Sequence, residues 1–445
     1  MTGYNYVLDV VYGSYGKIGE LIQEVGTENL AIKYQDEWQK HTKGHGLSPH
    51  LSLDGKHSRF AAENFIRNLL PEGNGFSELI DSTGLGKSNT FGLIRAIGAE
   101  TSGAMSFLGE NHTPVETTFR EIELPEIEEK LKNRELDQLT VWDGKRRLSV
   151  AGVQDKLNLI FRDGKLGLGD GDLCSTHIAK FETDFKNIVV NELFSMKLAE
   201  RVGLSVAHTE YLRIGDFPTL LVERFDRKLI SEEKVGKRHI IDGCQATNLP
   251  PSYKYERNLG DSRDVAHIRD GVSFKHLFDI EATSSDQHKQ ALCEWAAFNI
   301  IIGNYDAHGK NVSYYYDKSG ITLAPFYDLV CIEAIETPEG REIESTFAMA
   351  LGDSFDAKVG AYDIAGFIKN TGQNEGFVSL IFSKIAKKAI EVAETIEGEL
   401  ISGEYDLSEP EKEHIAKCVA ITQARAEMLQ SSCQVKDLRE MAELL

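Results

Sequence analysis

A chain of 445 residues with 41% hydrophobic content is too long for one ordinary core, so two or three packed units are expected, with enough apolar mass to fill them. Lys and Arg total 49 against 70 Asp and Glu, and a formal charge of -21 disfavours binding to DNA or anionic lipid over a broad face while favouring a basic partner. A local basic pocket is still compatible with this balance, because a few lysines and a divalent cation dominate the field within a cleft. Met1 to Tyr15 has no basic patch followed by an apolar core, and no run of about 18 apolar residues occurs, which argues against secretion and membrane spanning. Cysteines at 174, 244, 293, 331, 418 and 433 form no Cys-x-x-Cys pair, the pattern of buried thiols in a reducing compartment, the cytoplasm.

In chain order, strand-like alternation at Tyr6 to Val11 and Leu30 to Tyr34 precedes helical periodicity from Ala61 to Leu70, which Pro71 and Gly73 end. This predicts an α+β unit over residues 1–120. Glu121 to Asp137 mixes both charge signs at helical spacing and reads as a solvated helix, so residues 121–140 are expected to be a charged connector. A sheet-rich unit follows over 141–255, with strands near Ile178 to Phe181, Glu210 to Ile214 and Thr219 to Glu223, and a helix from Val190 to Val202 closed by Gly203. Residues 256–445 read as mostly helical, interrupted by a hairpin of Val312 to Tyr316 and Ile321 to Phe326 joined by Asp317-Lys318-Ser319-Gly320.

The chemistry concentrates in Asn304-Tyr305-Asp306-Ala307-His308-Gly309-Lys310-Asn311, followed after the hairpin by Pro325-Phe326-Tyr327-Asp328. Phosphoryl transfer needs a carboxylate to orient and deprotonate the attacking hydroxyl, and oxygen ligands for magnesium. Asp306 and Asn311 have the Asp-x4-Asn spacing that protein kinases use for those two tasks, and the hairpin would fold Asp328 back beside Asn311. A preceding helix with Ala291, Trp295, Phe298 and Ile302 on one face would anchor the loop. In isolation such residues also serve as turn formers and helix caps, but upstream pieces occur in the order that a bilobal kinase requires. Ser149 to Lys156 would form a hairpin tip over phosphates, with one glycine where the Gly-rich kinase pattern has three. Lys180 ends a strand, with Glu192 on the next helix as its candidate partner. The apolar strand Leu220 to Glu223 leaves into a charged turn suited to a connection between lobes.

Ser-Val-Ala-Gly-x-Gln-x-Lys at 149–156, Thr-His-Ile-x-Lys at 176–180, Val-Glu-Arg-Phe-Asp-Arg at 222–227, Cys-Gln at 244–245, Lys-Tyr-Glu at 254–256, Asp-x-His-x-Lys-Asn at 306–311 and Pro-Phe-Tyr-Asp at 325–328 resemble the HipA kinases of bacterial toxin–antitoxin pairs. The N-terminal unit resembles the family's own through Asn68-Leu69-Leu70-Pro71-Glu72 and Ile97 to Ala104, so the likeness covers essentially the whole chain. It implies an α+β bilobal kinase fold, with the N-terminal unit as an accessory subdomain packed on the sheet-rich lobe. It also implies transfer of the ATP γ-phosphate to serine or threonine of a protein such as an aminoacyl-tRNA synthetase, with two Mg2+ ions. Asp306 is then the catalytic aspartate, Asn311 and Asp328 the metal ligands, and Lys180 the ATP lysine. Glu223 and Phe225 lie in the adenine connection; Val150, Ala151, Gly152, Val153 and Gln154 form the loop over the phosphates, with Lys156 close by, and His308 and Lys310 complete the nucleotide surroundings. Ser149 holds the place of a serine whose autophosphorylation expels that loop, with Lys310 among the cations available to the added phosphate. A dimeric helix-turn-helix antitoxin of the HipB type is the implied partner, carrying any contact with DNA. One departure is visible, since Ile241-Asp242-Gly243 stands where many relatives have an acidic pair before Cys-Gln.

Two other motifs carry less. Gly84-Leu85-Gly86-Lys87-Ser88 resembles a phosphate-binding loop but has Asp81 where glycine is required and a helical stretch before it, and His41, His45 and His50 read as exposed loop histidines rather than zinc ligands. Besides a catalytic kinase, a nucleotide-binding pseudokinase acting as a corepressor and a kinase for a lipid or small molecule are compatible with the residues.

Overall fold

The computed structural model describes residues 6–445 apart from 111, 114, 135–138, 140, 148–155, 183–184, 337–344 and 404. Alternating apolar residues build the first sheet, in which β1 (Tyr6–Tyr12), β2 (Gly16–Gln23), β3 (Leu30–Tyr34) and β4 (Met105–Leu108) run antiparallel in the order β3-β2-β1-β4. Leu8, Val10, Leu21, Leu30 and Ile32 are buried on one face. Between β3 and β4 lie α1 (Asp36–Lys40), α2 (Ala61–Leu69), α3 (Gly73–Thr83) and α4 (Thr90–Ile97). α2 stops where Leu70 turns extended before Pro71, and Gly84 caps α3 in the left-handed region, at φ 65°, which explains the phosphate-loop-like glycine without a ligand.

The second sheet has six antiparallel strands in the order β11-β12-β10-β8-β9-β5. In chain order these are β5 (Thr118–Ile122), α5 (Leu124–Lys132), a small hairpin of β6 (Val141–Trp142) and β7 (Lys145–Arg146), β8 (Lys156–Arg162), β9 (Lys165–Asp170), β10 (His177–Phe181), α6 (Ile188–Val202), β11 (Thr209–Ile214) and β12 (Phe217–Glu223). The segment read as a solvated connector is more than that: β5 pairs with β9 at the sheet edge, and Ile127 and Leu131, four apart on α5, are buried with Leu139, Trp142 and Leu157 over one sheet face. Its many charges obscure four buried apolar positions, Ile122, Ile127, Leu131 and Leu139.

Beyond the connection lie the hairpin β13 (Arg227–Ser231) and β14 (Lys234–Lys237), then β15 (Ile240–Asp242), α7 (Gly243–Ala246), α8 (Phe274–Phe278) and α9 (Ser285–Ile301). The helical lobe continues with β16 (Ser313–Asp317), β17 (Gly320–Leu323), β18 (Thr346–Leu351), β19 (Ser354–Asp356), α10 (Ala361–Thr371), α11 (Glu375–Ile401), α12 (Glu409–Ser432) and α13 (Val435–Ala442). β16 and β17 are the expected hairpin, and β15 adds to it as a third strand. One hydrophobic core runs from the first sheet through α6 to α9, α11 and α12.

The N-terminal unit meets the range 141–255 read as the sheet-rich lobe, along the connection and the segment after it. The Gly103 N–H donates to Asp226, Asn64 Nδ2 donates to the Asn248 carbonyl at 2.7 Å, Gln245 Nε2 donates to the Phe65 carbonyl at 3.0 Å, and His239 bonds the Leu47 carbonyl at 2.7 Å. His41 and His50 are exposed loop histidines as expected, His50 bonding the Ala246 carbonyl, whereas His45 is buried. Among the described residues no group of three or more His, Cys, Asp or Glu could hold a metal ion. The six cysteines are buried and free, and no helix among the described residues is long and apolar enough to cross a membrane.

Candidate phosphotransfer site

The pleat of the second sheet sets two lysines side by side. Lys180 on β10 pairs in register with Lys156 on β8, so both side chains point to the face covered by α6. There Lys180 Nζ donates to Glu192 Oε1 of α6 at 2.6 Å and to Asp328 Oδ1 at 2.7 Å. Burial works against the Lys180 ammonium, but Asp328 and Glu192 outweigh it and hold it above its ordinary range. Lys156 is less well compensated: burial and the Lys180 charge push it down to about 8. Burial raises the Glu192 carboxyl and Asp328 adds to the effect, while Asp328 itself is drawn below the usual carboxylate range because Lys180, Lys156 and His308 outweigh burial.

α9 delivers the second half of the site. Trp295, Phe298 and Ile302 are fully buried, as the spacing predicts, with Ala291 packed at the margin. Every residue from Ile301 to Tyr314 is buried except Asp306, so a rigid loop presents one carboxylate to solvent. The Tyr255 hydroxyl donates to Asp306 Oδ1 at 2.5 Å, which leaves Oδ2 for another partner. A 3-10 turn over Gly309–Asn311 follows, in which Asn311 Oδ1 accepts from the His308 N–H at 3.1 Å and Asn311 Nδ2 donates to Asp328 Oδ2 at 2.9 Å. The hairpin thus brings Asp328 beside Asn311, as expected. Asp328 is held at φ 59°, a left-handed conformation uncommon outside glycine and concentrated at functional positions.

The connection is anchored by the Glu223 N–H on the His208 carbonyl and the Arg224 N–H on the Thr176 carbonyl, both at 2.9 Å. Phe225 packs against Tyr327, next to Asp328, with ring centroids 5.6 Å apart. Thus Lys156, Lys180, Phe225, His308, Asn311 and Asp328 converge, with Asp306 on the adjoining loop. Ser149 and the loop residues Val150, Ala151, Gly152, Val153 and Gln154 lie outside the described residues. Lys310 is directed away from the expected nucleotide surroundings: its ammonium donates to the Asn68 carbonyl at 3.0 Å and to Asp242 Oδ2 at 2.7 Å, because the hairpin turns it toward the N-terminal unit. Asp242 also caps α7 through the Gln245 N–H, so a single acid in Ile241-Asp242-Gly243 performs both tasks. Sequence reasoning gave no role to Tyr255, Asp242 or Glu72, although Lys-Tyr-Glu and Leu-Leu-Pro-Glu stood among the matched motifs.

The donor set fits a nucleotide with a divalent cation. Asp328 and Asn311 offer oxygens suited to a hard cation, Lys180 and Lys156 offer charge for phosphates, and the Asp328 side chain remains 42% exposed. A sheet-borne lysine paired to a helix glutamate, joined through one connection to an Asp-x4-Asn loop and a following aspartate, defines a bilobal protein kinase.

Family models of the HipA N-terminal domain and the HipA-like C-terminal domain match residues 8–108 and 148–396. The serine/threonine-protein kinase toxin HipA of Shewanella oneidensis is 41% identical over 375 residues, 83% of this chain and 85% of that one. The putative kinase Y4mE of Sinorhizobium fredii is 32% identical over 336 residues, 73% of this chain and 76% of that one. The solved complex of HipA, HipB and operator DNA from Shewanella oneidensis MR-1 contains a chain that superposes with a TM-score of 0.87 at 38% identity, covering 97% of this chain and 99% of that one. This chain belongs to the HipA family.

Proposed function

We propose that the chain is an ATP-dependent serine/threonine protein kinase acting as the toxin of a toxin–antitoxin pair. The observation that carries this reading is the three-way contact of Lys180 with Glu192 and Asp328, which joins β10, α6 and the segment after the β16–β17 hairpin in one cluster. Asp306 Oδ2 accepts the proton of the acceptor hydroxyl as its oxygen attacks the γ-phosphorus of ATP; the new O–P bond forms, the bond to the β-phosphate oxygen breaks, and ADP leaves. Tyr255 holds the other carboxylate oxygen and fixes its direction. Lys180 and Lys156 neutralise the phosphates, and Glu223 and Phe225 flank the adenine. Asn311 and Asp328 would hold magnesium, which would supply charge neutralisation at the phosphates. Residues 150–154, outside the described residues, are assigned to the phosphates by the family resemblance alone, and a phosphate on Ser149 would oppose that role by like-charge repulsion.

A basic, helix-turn-helix antitoxin of the HipB type is the proposed partner, consistent with the -21 charge and with the partner in the solved relative, and the cytoplasm is the proposed compartment. The test of the catalytic reading is ADP formation with magnesium and ATP: Asp306→Asn is expected to lower the rate by about 10²- to 10⁴-fold while ATP still binds. A variant as fast as the parent protein would refute it.

A further inference from the structure

The N-terminal unit places a buried carboxylate against the catalytic loop. Glu72, between α2 and α3, accepts from Lys254 Nζ at 2.8 Å through Oε2, while Oε1 lies 3.9 Å from Lys310 Nζ and has no hydrogen-bond partner among the described residues. Both lysines belong to the frame around Asp306. The Lys254 carbonyl accepts from the Gly309 N–H at 2.9 Å, and the next residue, Tyr255, donates to Asp306 Oδ1 and packs edge-on to His308 with centroids 5.1 Å apart. Lys310 is tied to Asn68 and Asp242. Burial raises the Glu72 carboxyl, but Lys310 and Lys254 outweigh it and keep it ionised at neutral pH.

We propose that Glu72 is a positioning residue for phosphotransfer: its carboxylate, set between Lys254 and Lys310, fixes the segment whose Tyr255 hydroxyl orients Asp306, so that the N-terminal unit completes the catalytic frame. Each step is a direct contact: Glu72 to Lys254, Lys254 to Tyr255 through the chain, Tyr255 to Asp306. Removing the charge frees the Lys254 ammonium and leaves Lys310 with less compensation, and the Tyr255 hydroxyl loses its fixed approach. A misplacement of this kind lowers turnover without touching nucleotide contacts. The inference rests on Asp306 being the catalytic aspartate.

The experiment measures ADP formation against ATP concentration, with melting temperature recorded for every variant. Glu72→Gln is expected to lower the rate at saturating ATP by about 10- to 100-fold, with the ATP concentration for half rate unchanged within about twofold. Glu72→Asp, which keeps the charge, should recover part of the loss. In a Tyr255→Phe background, Glu72→Gln should cost little more, because the two act on one carboxylate. Glu63→Gln, on α2 and bonded to Thr90, is the control for general damage to the unit and should leave the rate unchanged. A parental rate in Glu72→Gln, or full additivity with Tyr255→Phe, would overturn the inference while an inactive Asp306→Asn still supports the kinase reading; an active Asp306→Asn would overturn both. If Glu72→Gln does not fold, Lys254→Met removes the same pair from the other side and decides the matter by the same two criteria.

Discussion

Asp226 and Asp328 are carboxylates of two ion clusters, and they differ in how completely their oxygens are used. A carboxylate has about four lone-pair sites. Asp226, at the connection between lobes, fills them: it accepts from Arg224 Nε at 3.0 Å and Nη2 at 2.9 Å, from Arg227 Nη1 at 2.6 Å and from the Gly103 N–H at 2.8 Å, with its side chain 5% exposed. Arg227 also donates to the carbonyls of Gly103 and Thr101, so this cluster fastens the N-terminal unit to the connection. Among the described residues Asp328 accepts from Lys180 and Asn311 alone and stays partly open, and Glu192 Oε2 beside it has no hydrogen-bond partner there. A saturated cluster resists rearrangement and serves as a lock. A half-satisfied one, held in a left-handed backbone, retains capacity for a ligand.

The largest effect that can break this contrast is on stability. Asp226→Ala leaves two buried arginines facing each other and is expected to cost about 3–5 kcal/mol in denaturant unfolding. Asp328→Asn should abolish ADP formation, because its charge serves the ligand, while costing less stability than Asp226→Ala, because the Asp328 side chain is 42% exposed and water screens the lysines it leaves. Equal stability losses would erase the distinction between lock and site.

A smaller effect of opposite sign sharpens it. Lys156 has a folded value of about 8 against an ordinary 10.5, so the unfolded chain holds the proton more tightly; the penalty is fully present below about pH 8 and stability rises as pH increases from there to about 10.5. Lys156→Met should therefore stabilise the protein at pH 7 by up to about 3 kcal/mol, flatten that rise, and weaken ATP binding, all readable by calorimetry. Loss of stability in Lys156→Met would show that the lysine is a structural cation.

The acid limb gives the smallest effect. The two arginines outweigh burial and lower Asp226 from 3.8 to about 2, so the stability that it contributes is present above about pH 4 and lost as pH falls through 2. Asp226→Asn should remove about 2 kcal/mol of that acid dependence in unfolding titrations. An unchanged acid limb would show that Asp226 is not the group responsible.

Local pattern carried much of this architecture. The 3.6-residue period located the helix that ends at Gly203, which adopts φ 106° as its cap, and the alternation around Asp317 to Gly320 located the hairpin that returns Asp328 to Asn311. Periodicity reports that a face is buried without naming its partner. The charged run around Ile127 and Leu131 therefore gave no sign that it covers the second sheet, and Lys310 gave no sign that it bonds Asn68, 242 positions away. Lys180 and Glu192 were legible because one strand and the following helix bring them together, whereas Tyr255 on Asp306 depends on the path of an irregular segment that no period describes.

The contrast between the two carboxylates is tested most directly by a crystal structure with magnesium and a non-hydrolysable ATP analogue. The 2.7 Å contact of Lys180 and the 2.9 Å contact of Asn311 with Asp328 are expected to give way to contacts with phosphate and metal, while the four bonds to Asp226 are unchanged. A nucleotide bound with both contacts of Asp328 intact, or bound away from this cluster, would contradict that contrast.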